Sequence, residues 1–475
     1  MKHYADNNSH KSAPRHSAKS SGGKRYAASS KRPAERVNRD RYEKKPTELR
    51  IKRSSAKADD ATKIYPLKKS DAAKLSSGSK RPRTQCVGTP TAPVPPSKAG
   101  YAPAFIFAGF ILAMSLLFIF LPKKGFSETE KRYLSDFPKT TAETVMNGSF
   151  GKSFEAYIAD HFPTRNLWVG INAYATLAEG NNGANGVYNC KDGYLINKPI
   201  PEKNQIKRNV MILQEFKETV GDVPMSALFV PSTGYICEDK LPLLHDSYND
   251  DAYFERVSQG MKDGGIDFVD LRQTFKDAYK SGSQLYYKTD HHWTTEGAYT
   301  AYTAFCESAG LTPAPRGSFA LEKYKDFYGT TCSGSGFLLN ESDTVTVWQN
   351  PNNTEDKISV RITDDDQIKT SNSMYFTEHD KERDKYPIFL DGNHALTEIT
   401  NDNVKDGKIV VIKDSFSHCF APFLAENYHT VILVDMRLFK QDHVSDLVKI
   451  EKPDQILCLY GIDNFAQDMD LPDLY

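Results

Sequence analysis

Apolar positions divide the chain into three regimes. Residues 1–100 carry few large apolar side chains and show neither helical nor strand periodicity. Tyr101 to Leu121 form an uncharged, strongly apolar block of 21 residues. At about 1.5 Å rise per residue it matches a hydrocarbon core of roughly 30 Å. Beyond it, apolar positions recur in regular periods. Ile206, Val210, Leu213, Phe216 and Val220 fall at helical spacing, and Gly221 stands where a C-terminal cap belongs. Short continuous apolar runs at 226–230, 266–269, 409–412, 431–434 and 455–459 read as buried strands. Between them, 253–261, 295–309, 418–427 and 442–450 read as helices. Strands alternating with helices predict an α/β domain whose parallel sheet is covered on both faces.

Four segments follow from this pattern: a basic tail over 1–100, a transmembrane helix over 101–121, a helical membrane-proximal segment over 122–185, and an α/β domain over 186–475. In the second of these boundaries, Ser127 to Glu130 has the Ser-x-x-Glu form of a helix capping box. Helices are expected around Phe154–Ile158 and Leu167–Ile171, with a break at Pro163. A hairpin is expected at Val187–Tyr188 and Tyr194–Ile196, turning at Asp192-Gly193. Residues 311–405 break the α/β rhythm. Their Gly, Ser, Asn and Asp content, with strand-like runs at 343–349 and 357–362, predicts a β-rich insertion over the sheet edge.

Charge separates the segments further. The whole chain holds 61 basic and 61 acidic residues, but residues 1–100 hold 25 basic and 8 acidic. Such a tail cannot bury enough apolar surface to offset the entropy of ordering. Its basic runs are read as a solvated segment that sets membrane orientation, not as a nucleic-acid site. The cations before the apolar block outweigh Lys123 and Lys124 after it, so the N-terminus is expected in the cytoplasm and the domain outside. Cys86 then falls on the cytoplasmic side. The other six cysteines allow 15 full pairings, among which the sequence does not choose. Cys306 and Cys458 lie in core-like patterns, and Cys419 sits on a buried-looking helix, so none is read as a nucleophile.

Chemistry concentrates in two stretches. Thr289-Asp290-His291-His292-Trp293-Thr294 sets a carboxylate and two imidazoles before a helix, and Lys413-Asp414-Ser415-Phe416-Ser417 follows a buried strand. A hydroxyl nucleophile needs a base within hydrogen-bond reach, and that base needs a third group to fix its tautomer. Ser415, His292 and Asp290 supply these residue types. Ligands of open α/β sheets bind at the carboxyl edge, where Ser415 is expected. Free N–H groups at a helix start there stabilise an oxyanion. Trp293 is read as a loop anchor, with a sugar-stacking platform as the second reading. Asp290-His291-His292 lacks a third or fourth metal ligand at diagnostic spacing, so no metal is expected, and no cofactor.

Thr-Asp-His-His-Trp-Thr resembles the signature of the DHHW family of bacterial extracytoplasmic proteins, which is similar to the SGNH-hydrolase-like proteins of alginate O-acetylation. The likeness runs over most of 125–475. It includes Ser127-Glu-Thr-Glu-Lys-Arg-Tyr-Leu134, Asp160-His-Phe-Pro163, Gly186-Val-Tyr188, Asp192-Gly-Tyr-Leu195, Asp414-Ser-Phe416 and Val434-Asp-Met-Arg437 in order. The resemblance implies an SGNH-hydrolase-like (flavodoxin-like) fold in which Asp290, His292 and Ser415 are catalytic, with His291 a neighbour. The wider superfamily's oxyanion donors, a Gly and an Asn, find two matches, Gly461 with Asn464 and Gly392 with Asn393. It further implies an O-acetyltransferase or acetylesterase acting on cell-surface polysaccharide, with a membrane-bound partner supplying the acyl group to a transferase. A catalytically silent glycan-binding or scaffold protein of cell-wall assembly is the alternative.

Overall fold

The computed structural model describes residues 101–127, 132–201, 204–365, 367–440 and 442–475. The basic tail, Cys86 and the Glu128–Glu130 part of the expected capping box lie outside the described residues. Ala102–Phe120 is one helix of 19 residues, none of them buried, long and apolar enough to cross a membrane. Ser127, expected as a helix cap, instead lies in a two-residue strand, Phe126–Ser127, paired with Arg132–Tyr133. Helices Ser149–Asp160 and Arg165–Ala178 follow, separated around Pro163 as expected.

The predicted hairpin forms a small antiparallel sheet of Gly183–Ala184, Val187–Asn189 and Leu195–Asn197. Its turn needs left-handed backbone at Asp192 (φ 57°) and Gly193 (φ 77°), which Asp tolerates and Gly favours. Leu195 N–H donates to Lys288 O at 2.7 Å, tying this sheet to the loop that carries Asp290 and His292.

The main sheet has eight strands: β1 (Met225–Val230), β2 (Asp267–Asp270), β3 (Ile358–Asp364), β4 (Gln367–Ser371), β5 (Leu396–Asn401), β6 (Lys408–Lys413), β7 (Thr430–Asp435) and β8 (Gln455–Gly461). Their spatial order is β4-β3-β5-β7-β6-β8-β1-β2. The five strands expected from apolar runs lie side by side and parallel, in the order β7-β6-β8-β1-β2. The sheet as a whole is mixed, because β5 pairs antiparallel with β7 and carries β3 and β4 beyond it. The insertion therefore extends the sheet in its own plane rather than lying over its edge. A separate hairpin within it joins Ala320–Phe327 to Asp343–Gln349.

Period-two alternation sends successive side chains to opposite faces. Val411 of β6 and Leu457 and Leu459 of β8 join a core with Trp293, Ala298, Tyr302 and Phe305. Val410, Ile412, Ile456 and Cys458 join the opposite core, with Leu213 and Phe216 of α1 (Gln205–Val220) and Phe254 and Val257 of α2 (Asp250–Asp263). Both faces are covered, so the strands read as unbroken apolar runs. The helix expected at 418–427 is reduced to a 3₁₀ turn, Ser415–His418, and one α-helical turn, Ala421–Leu424. Pro422 lacks an N–H and fixes its φ, which suits a first turn but not a helix interior. The helix expected at 442–450 runs over Val444–Glu451.

Candidate functional site

The centre of the parallel sheet brings the two motif stretches together. Ser415 follows β6, with β7 and β8 on either side. The Asp-His-His-Trp stretch forms a tight loop before α3 (Thr295–Ala309), closed by Thr294 N–H to Leu285 O at 2.8 Å and Tyr287 N–H to His292 O at 3.2 Å. Trp293 is fully buried, and its indole N–H donates to Phe416 O at 2.9 Å. This bond anchors one motif onto the other, and it leaves Trp293 no face to stack on a sugar.

The Ser415 hydroxyl lies 2.7 Å from His292 Nε2, and His292 Nδ1 lies 2.5 Å from Asp290 Oδ2. The carboxylate can only accept, so it draws the imidazole proton to Nδ1 and leaves Nε2 to accept from Ser415. Asp290 is itself held: its Oδ1 accepts from Thr330 N at 3.0 Å and from Thr330 Oγ1 at 2.7 Å. A Cβ on Gly329 would stand 2.1 Å from Asp290 Cβ, so this approach needs glycine. Asp343 supports the loop from the insertion, accepting from Lys288 N, Thr289 N and Thr289 Oγ1 at 2.7–3.0 Å.

Burial, more than the following helix, keeps His292 neutral. Its pKa falls to about 4: loss of solvent and then the neighbouring His291 lower it, and Asp290 opposes both. Desolvation works against the Asp290 carboxylate, but the two histidines hold its pKa well below the usual range. His291 moves upward: the Asp290 charge outweighs its own desolvation. Its Nδ1–H donates to Thr330 Oγ1 at 3.0 Å. The ligand atoms of Asp290, His291 and His292 all lie within 4.8 Å of one another. Both His292 nitrogens are already engaged, so a cation ligated by His292 would displace either the Ser415 or the Asp290 contact.

Only a short 3₁₀ turn follows Ser415, so the dipole of a long helix does not reach it. Asp414 caps that turn, accepting from Phe416 N at 2.9 Å. Its second oxygen accepts from Gly461 N at 2.8 Å and Asn464 Nδ2 at 2.7 Å. The Gly461–Asn464 pair thus meets the Ser415 loop through Asp414. Gly461 also has to be glycine, since a Cβ there would lie 2.6 Å from the Phe416 ring. Asn393 accepts from Arg437 at 3.1 Å, and Gly392 shares its left-handed loop, with φ 92°. Neither of these two joins the Ser415–His292 contact.

Other groups at the site carry no sequence signature. Tyr386, from the insertion, stacks flat on His292 with ring centroids 3.9 Å apart and 9° between planes. Its hydroxyl donates to Ser415 O at 3.1 Å. Beneath the turn, buried Lys413 donates to His418 Nε2 at 2.8 Å and to Asp435 at 3.0 Å, and Arg437 pairs with Asp435 as well. His418 Nδ1 is buried without a partner. Cys419 is buried, and desolvation raises its thiol to about 12, which removes it as a nucleophile. The six described cysteines are unpaired.

Residues 270–434 match the DHHW protein family. The matched residues run from the end of β2 through the Asp-His-His-Trp loop, the insertion, β6 and Ser415 into β7. Among curated proteins, the chain is 28% identical over 173 residues to the probable alginate O-acetylase AlgJ of Pseudomonas aeruginosa, covering 33% of this chain and 41% of the relative. It is 27% identical over 188 residues to the protein of that name from Pseudomonas putida, covering 37% and 47%. The chain spans less than half the length of these two relatives. Among solved structures, Bacillus cereus PatB1 with a sulfonyl adduct superposes with a TM-score of 0.50 at 18% identity, over 59% of this chain and 95% of that one. A DHHW family protein from Eubacterium siraeum gives 0.49 at 20% identity, over 61% and 95%.

Proposed function

We propose that this chain is a membrane-anchored, extracytoplasmic SGNH-like acyltransferase that moves an acetyl or similar acyl ester on a cell-surface polysaccharide. The observation that carries the reading is the continuous chain of contacts from Ser415 Oγ to His292 to Asp290. The names of the curated relatives, probable alginate O-acetylases, support the acyl chemistry and the polysaccharide class. The Ala102–Phe120 helix supports the anchor.

In the first half-reaction His292 Nε2 takes the Ser415 proton as Oγ bonds the acyl carbon. The carbonyl oxygen becomes an oxyanion, then collapses and expels the donor's oxygen, which leaves with the proton from His292. In the second half His292 deprotonates an acceptor hydroxyl, which attacks the acyl-Ser415 carbon and restores the serine. Neutral His292 suits both halves, since a base must begin unprotonated. Asn464 gives one of its two amide hydrogens to Asp414, and we assign the other to the oxyanion. A membrane-bound partner would supply the acyl group from the cytoplasmic side. Water in place of the sugar hydroxyl makes the same site an esterase. A scaffold without chemistry needs no hydrogen bond between Ser415 and His292, and the 2.7 Å contact weighs against it.

The test is a nitrophenyl acetate reaction followed by mass spectrometry of the peptide containing Asp414-Ser415-Phe416. The wild type should carry an acetyl group there and Ser415→Ala should not. Absence of the adduct, with surface-polymer acetylation unchanged in Ser415→Ala cells, would refute the enzyme.

A further inference from the structure

A cavity of about 270 Å³ opens beside this site, walled by Phe416 and His291, the chain neighbours of Ser415 and His292. It lies at the carboxyl ends of β1 and β8 and reaches Ser232, Tyr248, Asp463 and Asn464. Its volume falls just under the common ligand-pocket range of about 300–1,000 Å³, which fits one residue of a longer polymer. Tyr248 offers an aromatic wall. Its ring packs so tightly on Gly234 that a Cβ there would come within 2.0 Å. Its hydroxyl is fixed by donating to Asn197 O at 2.5 Å.

The polar floor is acidic. Asp463 lines the cavity, and burial raises its pKa. Asp250 lies buried behind it, accepting from Ser232 N at 2.7 Å, with its pKa raised to about 7 by burial and then by the Asp463 charge. Ser232 stands between the two carboxyls. Its residue is 5% exposed, and its hydroxyl hydrogen-bonds to both carboxyls without ideal geometry to either, which lowers the pKa of each. Among the described residues, no Lys or Arg lines the cavity. His291, which among the described lining residues can become cationic, already faces Asp290 at 3.3 Å.

We propose that this cavity is the acceptor subsite and takes a sugar residue without a carboxylate, a neutral or amino sugar, whose hydroxyl, amide or ammonium groups hydrogen-bond to Asp463 and Ser232. The assignment of an acceptor rests on the acyl-transfer reading above; the selectivity against carboxylates rests on the cavity alone. A uronate carboxylate placed here would meet Asp463 with no Lys or Arg among the described lining residues to offset it. The curated relatives are named for alginate, a uronate polymer, so the cavity separates this chain's acceptor from theirs.

The test is calorimetric binding to the full chain in detergent, using tetramers of N-acetylglucosamine, glucosamine and mannuronate. At least one of the first two should bind and the mannuronate should not. Asp463→Asn, which keeps shape and removes charge, should weaken the preferred tetramer roughly tenfold or more and narrow its lead over mannuronate. Ser232→Ala should weaken the preferred tetramer in the same direction. Equal or tighter binding of mannuronate by the wild type, no binding of any tetramer, or an undiminished lead over mannuronate in Asp463→Asn would overturn the proposal. Affinity for the tetramers does not depend on forming an acyl-enzyme. Failure of the nitrophenyl acetate test would therefore remove the acyl-transfer reading and leave the binding result standing.

Discussion

Asp290→Asn isolates the tautomer argument, because the amide has the shape of the carboxylate it replaces. The Oδ1 position receives two donors from Thr330, at 3.0 and 2.7 Å, while the Oδ2 position receives one from His292 at 2.5 Å. Asn has one oxygen and one NH₂ to distribute. Turning the NH₂ toward Thr330 would set donor against donor twice, at roughly 1–3 kcal/mol for each donor left unsatisfied. The amide oxygen therefore stays at Thr330 and the NH₂ faces His292 Nδ1. His292 must then accept at Nδ1 and carry its proton on Nε2, where it can no longer take one from Ser415. Losing the correct tautomer with geometry intact typically lowers turnover by about 10⁴, or some 5 kcal/mol of barrier. Folding should lose only about 1–3 kcal/mol. The assay is the rate of nitrophenol release and of acyl-Ser415 formation, with circular dichroism to check the fold. A folded variant within about tenfold of the wild-type rate would refute the assigned roles of Asp290 and His292.

Three further outcomes are expected. With His292 near 4, its base form persists well below neutral pH, so kcat/KM for nitrophenyl acetate should fall as pH drops through about 4 and not through 6.5. A limb near 6.5 would mean that His292 is not buried as described. His292→Ala should abolish acyl-enzyme formation while His291→Ala retains much of it, read by the same adduct mass; equal losses would point to a shared ion or a misassigned base. Lys413→Met should cost about 3 kcal/mol in a urea titration, the low end for breaking a buried pair, because Arg437 still pairs with Asp435.

What was legible in the sequence was whatever repeats or stands in a short motif. The five parallel strands were readable because burial on both faces leaves no polar position to interrupt them. That Asp290, His292 and Ser415 would meet was readable because a carboxylate, an imidazole and a hydroxyl fell on loops that follow or precede such elements. Tyr386, Thr330 and Asp343 were not, since each reaches the site by long-range packing from a segment whose own period is irregular. Their spacing in the chain holds nothing that distinguishes them from other loop residues. The helix expected after Ser415 failed locally: Pro422 and the Asp414 cap divide that stretch into short turns. Trp293 shows the same limit for single residues, because an aromatic in a polar motif fits an anchor as well as a binding face until its burial is known.

Tyr386 also fixes an order of events. Ribosomes extend chains from the N-terminus, so His292 emerges first, the tyrosine that covers its ring second, and Ser415 last. The imidazole and the serine hydroxyl cannot face each other until the intervening strands have been made. A nascent chain halted before residue 386 therefore has neither the shielding ring nor the hydroxyl. Variation in the length of the segment between them can reshape the wall over His292 while leaving both motifs untouched, so divergence among such proteins can proceed in the wall without disturbing the reacting groups.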